Sequence, residues 1–303
     1  MIDLNNNRII ELLKIKYQII QGGMAGVSES NLVSAVSEAG GLGTLGSGLM
    51  SDIWLENEIR KTKEMTNNPF SVNLFMQNPN IEKIINVIIK NQVPIVFTGG
   101  GNPLSVISYF QAAGIIVIPV VPSSRLAKKM EDSGADAVVV EGLESGGHVG
   151  ENTLFSLVPQ TKKILSNIPL IAAGGIYDFI TSSAAFGLGA DGIQMGTRFL
   201  ASRECKISES FKNKIINATE EDIEVVLRFT GHPLRVIKNK LSENWKKLEK
   251  KGAFPEEVPA EKIAGGRIIS ENTDNLPLLA GLSAAGIKNV KSCREIIEET
   301  IGQ

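Results

Sequence analysis

The sequence has little of the residue types that build metal sites and disulfide frameworks. Its 303 residues include only 2 Cys and 2 His, and aromatic residues make up 5%. Cys205 and Cys293 are isolated, and His148 and His232 cannot join them at a ligand spacing that zinc sites use. We therefore expect no metal site and a reducing compartment.

The sequence also lacks an excess of charge of either sign and lacks long apolar runs. Its 31 Lys and Arg against 33 Asp and Glu give a formal charge of −2, so the composition does not indicate nucleic acid or an anionic membrane as partner. The N-terminus has neither the basic start nor the apolar run of a signal peptide, and no segment approaches the ~18 apolar residues of a membrane span. These absences predict a cytoplasmic protein that binds neither nucleic acid nor membrane.

What the sequence does contain is a regular alternation of short apolar runs and amphipathic segments, which is typical of repeated βα units. Several runs are apolar nearly throughout, as expected for parallel strands buried on both faces. Candidate helix N-caps lie at Ser51-Asp52 and Ser123-Ser124. The predicted strands are 17–20, 42–45, 71–75, 94–98, 115–121, 137–141, 169–173 and 192–195. Their even spacing, roughly 20 to 30 residues, predicts a (β/α)8 TIM barrel.

The pattern changes after residue 199, where the chain becomes charged and helical in character through residue 250. Residues 252–259 are typical of a loop, 278–287 of a small-residue helix and 293–301 of an amphipathic terminal helix. No segment has the composition of a free linker. We predict a barrel over residues 1–200 and a helical extension or lid over residues 201–303 that packs on it.

Glycine is the residue in excess, with 30 of 303 against an average usage of about 7%. Most of the notable glycines follow the predicted strands, at the edge that carries the active site of a βα barrel. Because glycine lets a ligand approach backbone N–H groups, the loops at 173–176 and 195–198 predict a phosphate site. Tight βα turns are the alternative for any single glycine. Residues 41–46 match G-x-G-x-x-G, but a strand runs through them, which argues against a dinucleotide fingerprint.

His148 lies in a glycine-rich loop, 141–150, after the sixth predicted strand. Since histidine titrates near pH 6.5, a side chain at this edge can give or take a proton. A hydrogen-bonding role without proton transfer is the alternative. For His232 a structural role is favoured over one at a lid, and Arg198 is expected to be a buried ion-pair partner. Met24 is either a ligand contact or a core sulfur.

Several of these segments, in the same order along the chain, resemble the FMN-dependent nitronate monooxygenase (2-nitropropane dioxygenase) family. They are 21–25 (QGGMA), 141–150 (EGLESGGHVG), 173–176 (AGGI) and 194–198 (QMGTR). Residues 113–123 and 231–239 resemble its enoyl-[acyl-carrier-protein] reductase branch in particular. The sequence departs from the family at 280–282, where members commonly carry a Gln.

The resemblance implies an FMN across the barrel mouth, with its phosphate on the Gly174-Gly175 and Gly196-Thr197 loops. It also implies that His148, as the catalytic residue, faces the reactive edge of the flavin, while Asn73 and Thr98 form hydrogen bonds near it. The residues predicted to bind the cofactor are Gly22, Gly23, Met24, Ala25, Gly46, Asn73, Thr98, Glu141, Ala173, Gly174, Gly175, Gln194, Met195, Gly196 and Thr197.

The function implied by the resemblance is reduction of a trans-2-enoyl thioester on acyl carrier protein in fatty-acid synthesis, with NADH or NADPH as reductant, by a homodimer. His148 would bind the thioester carbonyl or supply the α-proton. Because acyl carrier protein is acidic, Arg235, Lys238 and Lys240 are candidates for a basic docking patch, with a solvated helix face as the alternative.

Three other functions stay open at this point. A nitronate monooxygenase would use oxygen, with His148 as the base. A flavin-binding barrel without turnover is a second alternative. An isomerase or aldolase acting on a phosphorylated ligand is disfavoured, because no lysine at a strand end is suited to a Schiff base.

Overall fold

The computed structural model describes residues 7–252 and 270–303, so most of the predicted loop at 252–259 lies outside the described residues. The strands are β1 (Ile19–Gln21), β2 (Gly43–Gly46), β3 (Phe70–Phe75), β4 (Ile95–Gly99), β5 (Ile116–Val121), β6 (Val138–Glu141), β7 (Gly147–His148), β8 (Leu170–Ala173), β9 (Gly192–Met195), β10 (Ile223–Val226) and β11 (Leu234–Ile237). The α-helices are α1 (Arg8–Leu13), α2 (Ser30–Glu38), α3 (Asp52–Met65), α4 (Ile81–Lys90), α5 (Leu104–Ala112), α6 (Ser124–Asp132), α7 (Leu154–Ile164), α8 (Phe179–Gly187), α9 (Thr197–Leu200), α10 (Glu209–Ile216), α11 (Lys240–Lys250) and α12 (Cys293–Thr300).

Eight parallel strands form the barrel in the order β1-β9-β8-β6-β5-β4-β3-β2. The two ends of this series meet through a parallel bridge between Ile20 and Leu42, where the Gln21 N–H donates to the Leu42 carbonyl at 2.9 Å. Helices alternate with the strands along the chain. The predicted (β/α)8 barrel is confirmed, and every predicted barrel strand corresponds to an observed one.

The barrel strands are buried on both faces because alternate residues enter different cores. In β6, Val139 belongs to the cluster inside the barrel, whereas Val138 and Val140 belong to the layer between strands and helices. Ile9 and Leu13 of α1 join the inner cluster and close the N-terminal end of the barrel. With both apolar faces used in this way, the open C-terminal end is where a ligand can enter.

Local capping agrees with the sequence. The Ser51 hydroxyl accepts from the Trp54 N–H at 3.2 Å at the start of α3, and the Ser123 hydroxyl accepts from the Leu126 N–H at 3.3 Å at the start of α6. A strand runs through most of residues 41–46, as expected from rejecting the dinucleotide fingerprint there. None of the helices in the described residues is long and apolar enough to span a membrane.

The chain after residue 200 differs from the helical extension that we predicted. β10 and β11 form an antiparallel hairpin, and β11 pairs with β7. These strands are rich in the β-branched residues Val and Ile, which favour an extended backbone over a helix. Residues 278–287 are not one helix, since only Leu282–Gly286 forms a short 3₁₀ helix after Gly281.

The predicted terminal helix is present as α12, which contacts α2 and α8 of the barrel. The division of the chain at residue 200 stays a prediction. Its two parts are nevertheless joined by hydrogen bonds, because β7 lies within the barrel sequence and β11 lies beyond it.

Candidate active site

A cavity of about 480 Å³ opens at the C-terminal edge of the barrel strands, within the usual size of a small-molecule site. It brings together most of the residues that the sequence predicts for the site. Those that line it are Gly22, Gly23, Met24, Ala25, Asn73, Glu141, His148, Ala173, Gly174, Gly175, Gln194, Met195, Gly196 and Thr197.

Two predicted residues, Gly46 and Thr98, do not line the cavity. A Cβ on Gly46 would overlap the carbonyl oxygen of Met24, so this glycine lets β2 approach the loop after β1. The Thr98 side chain is buried in β4, and its hydroxyl has no hydrogen-bond partner within residues 7–252 and 270–303. Both residues therefore lie behind the cavity wall.

The glycine-rich wall of the cavity consists of the loops after β1, β8 and β9. Gly174 and Gly175 have φ angles of 104° and 75°, in the left-handed region that strains other residues. The Thr197 hydroxyl accepts from the Gly281 N–H at 2.9 Å, so its own proton is free to reach a ligand oxygen. Such backbone and hydroxyl donors fit a phosphate group.

The loop after β1 also approaches its neighbours closely because its glycines have no side chain. A Cβ on Gly23 would overlap the Cβ of Asn73, so no larger residue fits at position 23 without movement. Met24 is partly buried against the outer core, and its sulfur lies 3.7 Å from where a Cβ on Gly196 would be. Met24 thus both lines the cavity and packs as a core sulfur.

The cavity also has large apolar lining side chains. In the strand order, β3 and β4 lie half a turn around the barrel from β8 and β9, and they contribute Phe75 and Phe97 beside the polar Asn73. Leu279 of the extension lies next to Gly147 of the His148 loop. The apolar lining residues include Leu49, Phe75, Phe97, Val120 and Leu279. The site therefore combines glycine-rich loops with apolar side chains that can contact hydrocarbon.

Two orphaned polar atoms test whether a flavin fits here. The Asn73 Oδ1 and the Thr98 Oγ1 are buried without a hydrogen-bond partner among the described residues. Buried polar atoms in folded proteins nearly always have partners, so unpaired ones indicate a missing ligand or water. A ring system with several hydrogen-bonding edges, such as FMN, fits the unpaired Asn73 Oδ1 in the cavity wall, whereas the Thr98 hydroxyl lies behind that wall.

Glu141 ends β6 and lies in the cavity wall. Burial raises the pKa of its carboxyl to about 7, while a hydrogen bond from Ser145 acts in the opposite direction. A pKa near 7 places the titration of this carboxyl in the physiological range, in a residue that lines the cavity.

His148 lines the cavity together with His232, the other histidine of the chain. Their ring centroids are 6.1 Å apart, with the rings almost perpendicular at 86°. Partial burial lowers the pKa of His148, and the charge of His232 lowers it further. His148 is therefore a neutral imidazole at neutral pH. Sequence reasoning favoured a structural role for His232, but its ring is part of the cavity lining.

The basic docking patch predicted at Arg235, Lys238 and Lys240 does not form. Arg235 is only 6% exposed, and its guanidinium donates to the carbonyls of Leu143 and Ser145. Lys238 donates to the Glu221 carbonyl, and Lys240 pairs with Asp274 at 2.6 Å. Arg235 is removed from solvent, and Lys240 is paired with an acid.

Arg198 is buried as expected, but its partner is not an acid. Its guanidinium donates to the main-chain carbonyl and the side-chain oxygen of Asn289, both at 3.0 Å. Burial lowers the pKa of Arg198 to about 10. These contacts fasten α9 to the segment before α12.

The comparisons with known proteins agree with this site. The sequence model of the nitronate monooxygenase family matches residues 6–89 and 80–302. A probable nitronate monooxygenase of Staphylococcus aureus (strain Newman) is 38% identical, and the match covers 81% of this chain and 82% of that protein.

Two solved structures are similar over nearly the whole chain. FabK from Thermotoga maritima is 40% identical, with a TM-score of 0.92 over 97% of this chain and 94% of that one. A nitroalkane oxidase from Streptomyces ansochromogenes is 26% identical, with a TM-score of 0.84 over 97% and 96%.

Fold, site and relatives together define an FMN-dependent oxidoreductase built on a (β/α)8 barrel. Within that class, the chain belongs to the nitronate monooxygenase family, which confirms the resemblance seen in the sequence.

Proposed function

We propose that this protein reduces the double bond of a trans-2-enoyl thioester carried by acyl carrier protein, with NADH or NADPH as reductant. The observation that carries this proposal is that one cavity combines glycine-rich loops, large apolar side chains such as Leu49, Phe75 and Leu279, and His148. A small nitronate needs little apolar surface, whereas an acyl chain would contact these side chains.

The glycine-rich wall is proposed to hold FMN. The backbone at Gly174, Gly175, Gly196 and Thr197 would bind its phosphate, and Gly22 to Ala25 would contact the ring system. Bound FMN would supply the hydride for the β-carbon of the substrate, since the hard chemistry belongs to the cofactor. The protein then has to orient the thioester and stabilise the negative charge that develops on its oxygen.

His148 is proposed to supply that stabilisation. Because its lowered pKa keeps the ring neutral, one ring nitrogen carries a proton that can be donated to the thioester carbonyl without prior titration. Glu141, with its pKa raised to about 7, is partly protonated at neutral pH and lies in the wall of the same cavity. The two side chains would provide hydrogen-bond donors in the same cavity.

The solved structure of FabK supports the reductase assignment, because FabK is an enoyl-[acyl-carrier-protein] reductase and is 40% identical to this chain. This chain carries the same fold over 97% of its length.

The test is His148→Ala, with His232→Ala as the matched control. We expect His148→Ala to bind FMN as the wild type does but to lose roughly 10²- to 10⁴-fold in kcat with crotonyl thioesters, the usual contribution of one positioned acid or base. His232→Ala should lose less than about tenfold, because its ring acts through His148. The measurements are the flavin absorbance spectrum and steady-state NADH or NADPH oxidation. Undiminished turnover by His148→Ala would remove this residue from the mechanism.

Nitronate monooxygenation is the second candidate, and the names of the curated relatives favour it. A histidine with a lowered pKa also suits a base that takes a proton from the substrate. Anaerobic stopped-flow mixing separates the two functions. A reductase flavin is bleached quickly by NADH or NADPH, whereas a monooxygenase flavin is bleached by a nitronate and only slowly by the nicotinamides.

A further inference from the structure

The loop that carries His148 depends on the C-terminal extension for its shape. Three successive carbonyls of this loop, those of Leu143, Glu144 and Ser145, all accept hydrogen bonds from residues beyond position 230. The Arg235 guanidinium donates to the carbonyls of Leu143 and Ser145, and the Leu282 N–H donates to the Glu144 carbonyl at 3.0 Å. The barrel itself does not satisfy these acceptors.

The strand pairing of β7 with β11 adds a second set of contacts to the same loop. Leu234 lies opposite His148 and Arg235 lies opposite Gly147 in the antiparallel register. The Val149 N–H donates to the Pro233 carbonyl at 3.1 Å. The main chain on both sides of His148 is therefore hydrogen bonded to, or paired with, the hairpin.

Arg235 combines both sets of contacts in one residue. Its main chain pairs with Gly147, one residue before His148, and its side chain reaches back to Leu143 and to Ser145, the latter at 3.0 Å. The side chain is buried, and burial lowers the pKa of its guanidinium while the nearby Glu144 acts in the opposite direction. A guanidinium presents donors in a fixed plane, which suits it to holding two carbonyls at a fixed separation.

We propose that Arg235 is a positioning residue for His148: by joining the Leu143 and Ser145 carbonyls to the hairpin, it fixes the imidazole in the cavity. The proposal rests on the proposed function only in that His148 has a catalytic role. A loop released from Arg235 would let the imidazole ring, which is exposed at the cavity, move away from its position. Displacing a reacting group by about 1 Å costs roughly 100-fold in rate.

The test compares Arg235→Met, Arg235→Lys and the matched control Arg228→Met. Arg228 lies in the same hairpin and is exposed, and its main-chain N–H rather than its side chain contacts Glu249. Since the chain has only two histidines, ¹H–¹³C spectra of the histidine Cε1–H groups give two signals, which His232→Gln assigns. The titration of His148 can therefore be followed in the FMN-loaded protein without any substrate.

We expect Arg235→Met to bind FMN normally and to lose about 10- to 100-fold in kcat with little change in KM. The pKa of His148 should rise in this variant toward the ordinary histidine value of about 6.5. Arg235→Lys should recover part of both effects, since an ammonium group can donate to two carbonyls but not in a fixed plane. Arg228→Met should match the wild type in both measurements.

A double-mutant cycle with His148→Ala completes the test. If Arg235 acts through His148, adding Arg235→Met to His148→Ala should cost less than about twofold more in kcat. Additive losses, or an unchanged His148 titration in both Arg235 variants, would overturn the proposal. If the wild type fails to reduce enoyl thioesters, the proposed function fails, while the titration shift still decides the positioning role.

Discussion

The two polar parts of the cavity are assembled in different ways. The glycine-rich wall consists of loops that directly follow β1, β8 and β9, and the extension adds one contact to it, the Gly281 N–H that donates to the Thr197 hydroxyl. The His148 loop follows β6, but its carbonyls and its short strand are held by the hairpin and by Leu282. We infer that the cofactor side belongs mainly to the barrel and that the proton-handling side is shared with the extension.

The two sides of the cavity would therefore have different tasks, one holding FMN and the other positioning His148. Changes in the β10–β11 hairpin can alter the position of His148 without touching the residues proposed to bind FMN, whereas a change at Gly281 would reach Thr197 as well. Changes in the barrel loops should do the reverse. The predictions below test whether the two parts respond independently.

The largest expected effect is on the cofactor side. In Gly23→Ala the new Cβ would overlap Asn73, so the loop after β1 must shift. Overpacking of this kind costs about 1–3 kcal/mol, and we expect FMN affinity to fall roughly 10- to 100-fold. Fluorescence titration of the flavin-free protein with FMN measures this effect.

Gly187→Ala is the matched control, because a Cβ at Gly187 meets no atom within 4 Å. The His148 titration should be unchanged in Gly23→Ala if the two parts are independent. An FMN affinity within about twofold of the wild type would show that the loop after β1 tolerates the extra methyl group.

The second largest expected effect is on the pH dependence of folding stability. It concerns Glu141, which lies between the two parts at the end of β6. Its pKa is about 7 in the folded protein, against about 4.3 for an unfolded chain. A raised acid pKa means that folding favours the protonated form, so stability is greatest below about pH 4.3 and is lost as the pH rises through 7. The total loss is on the order of 3 kcal/mol.

Glu141→Gln should therefore flatten the pH dependence of stability between about pH 4.3 and 7 in the flavin-free protein. Urea unfolding at several pH values measures this, with the wild type losing stability across the window and the variant losing much less. Parallel curves for the two proteins would mean that the Glu141 carboxyl keeps an ordinary pKa.

The smallest expected effect concerns the histidine pair. The charge of His232 lowers the pKa of His148, so His232→Gln should raise the titration midpoint of His148. Burial remains as the larger cause, and the midpoint should therefore stay below about 6.5. The same ¹H–¹³C spectra measure the shift, and FMN affinity should not change. A His148 midpoint that does not move would show that the two rings are electrostatically independent.

The barrel was predictable from sequence because each of its strands is a local apolar run between amphipathic helices. The hairpin was missed because its partner strand, Gly147–His148, has two residues and lies in a glycine-rich loop with no periodicity to detect. The alternating run at 223–226 and the Gly231-His232 turn were the available signals. The predicted homodimer stays a prediction.

The burial of individual basic side chains could not be predicted from the sequence. Arg235 and Lys240 look alike as cations near a helix start, yet one is buried against two carbonyls and the other is exposed. The burial of Arg235 depends on a loop some 90 residues earlier in the chain. Local composition carries no information about such distant contacts.

The hydrogen bonds from the extension to the Glu141–His148 loop also set an order of assembly during synthesis. The Leu143, Glu144 and Ser145 carbonyls accept hydrogen bonds from donors at positions 235 and 282, which the ribosome adds long after the loop itself. The loop around His148 therefore cannot form all of these hydrogen bonds until synthesis has passed residue 282.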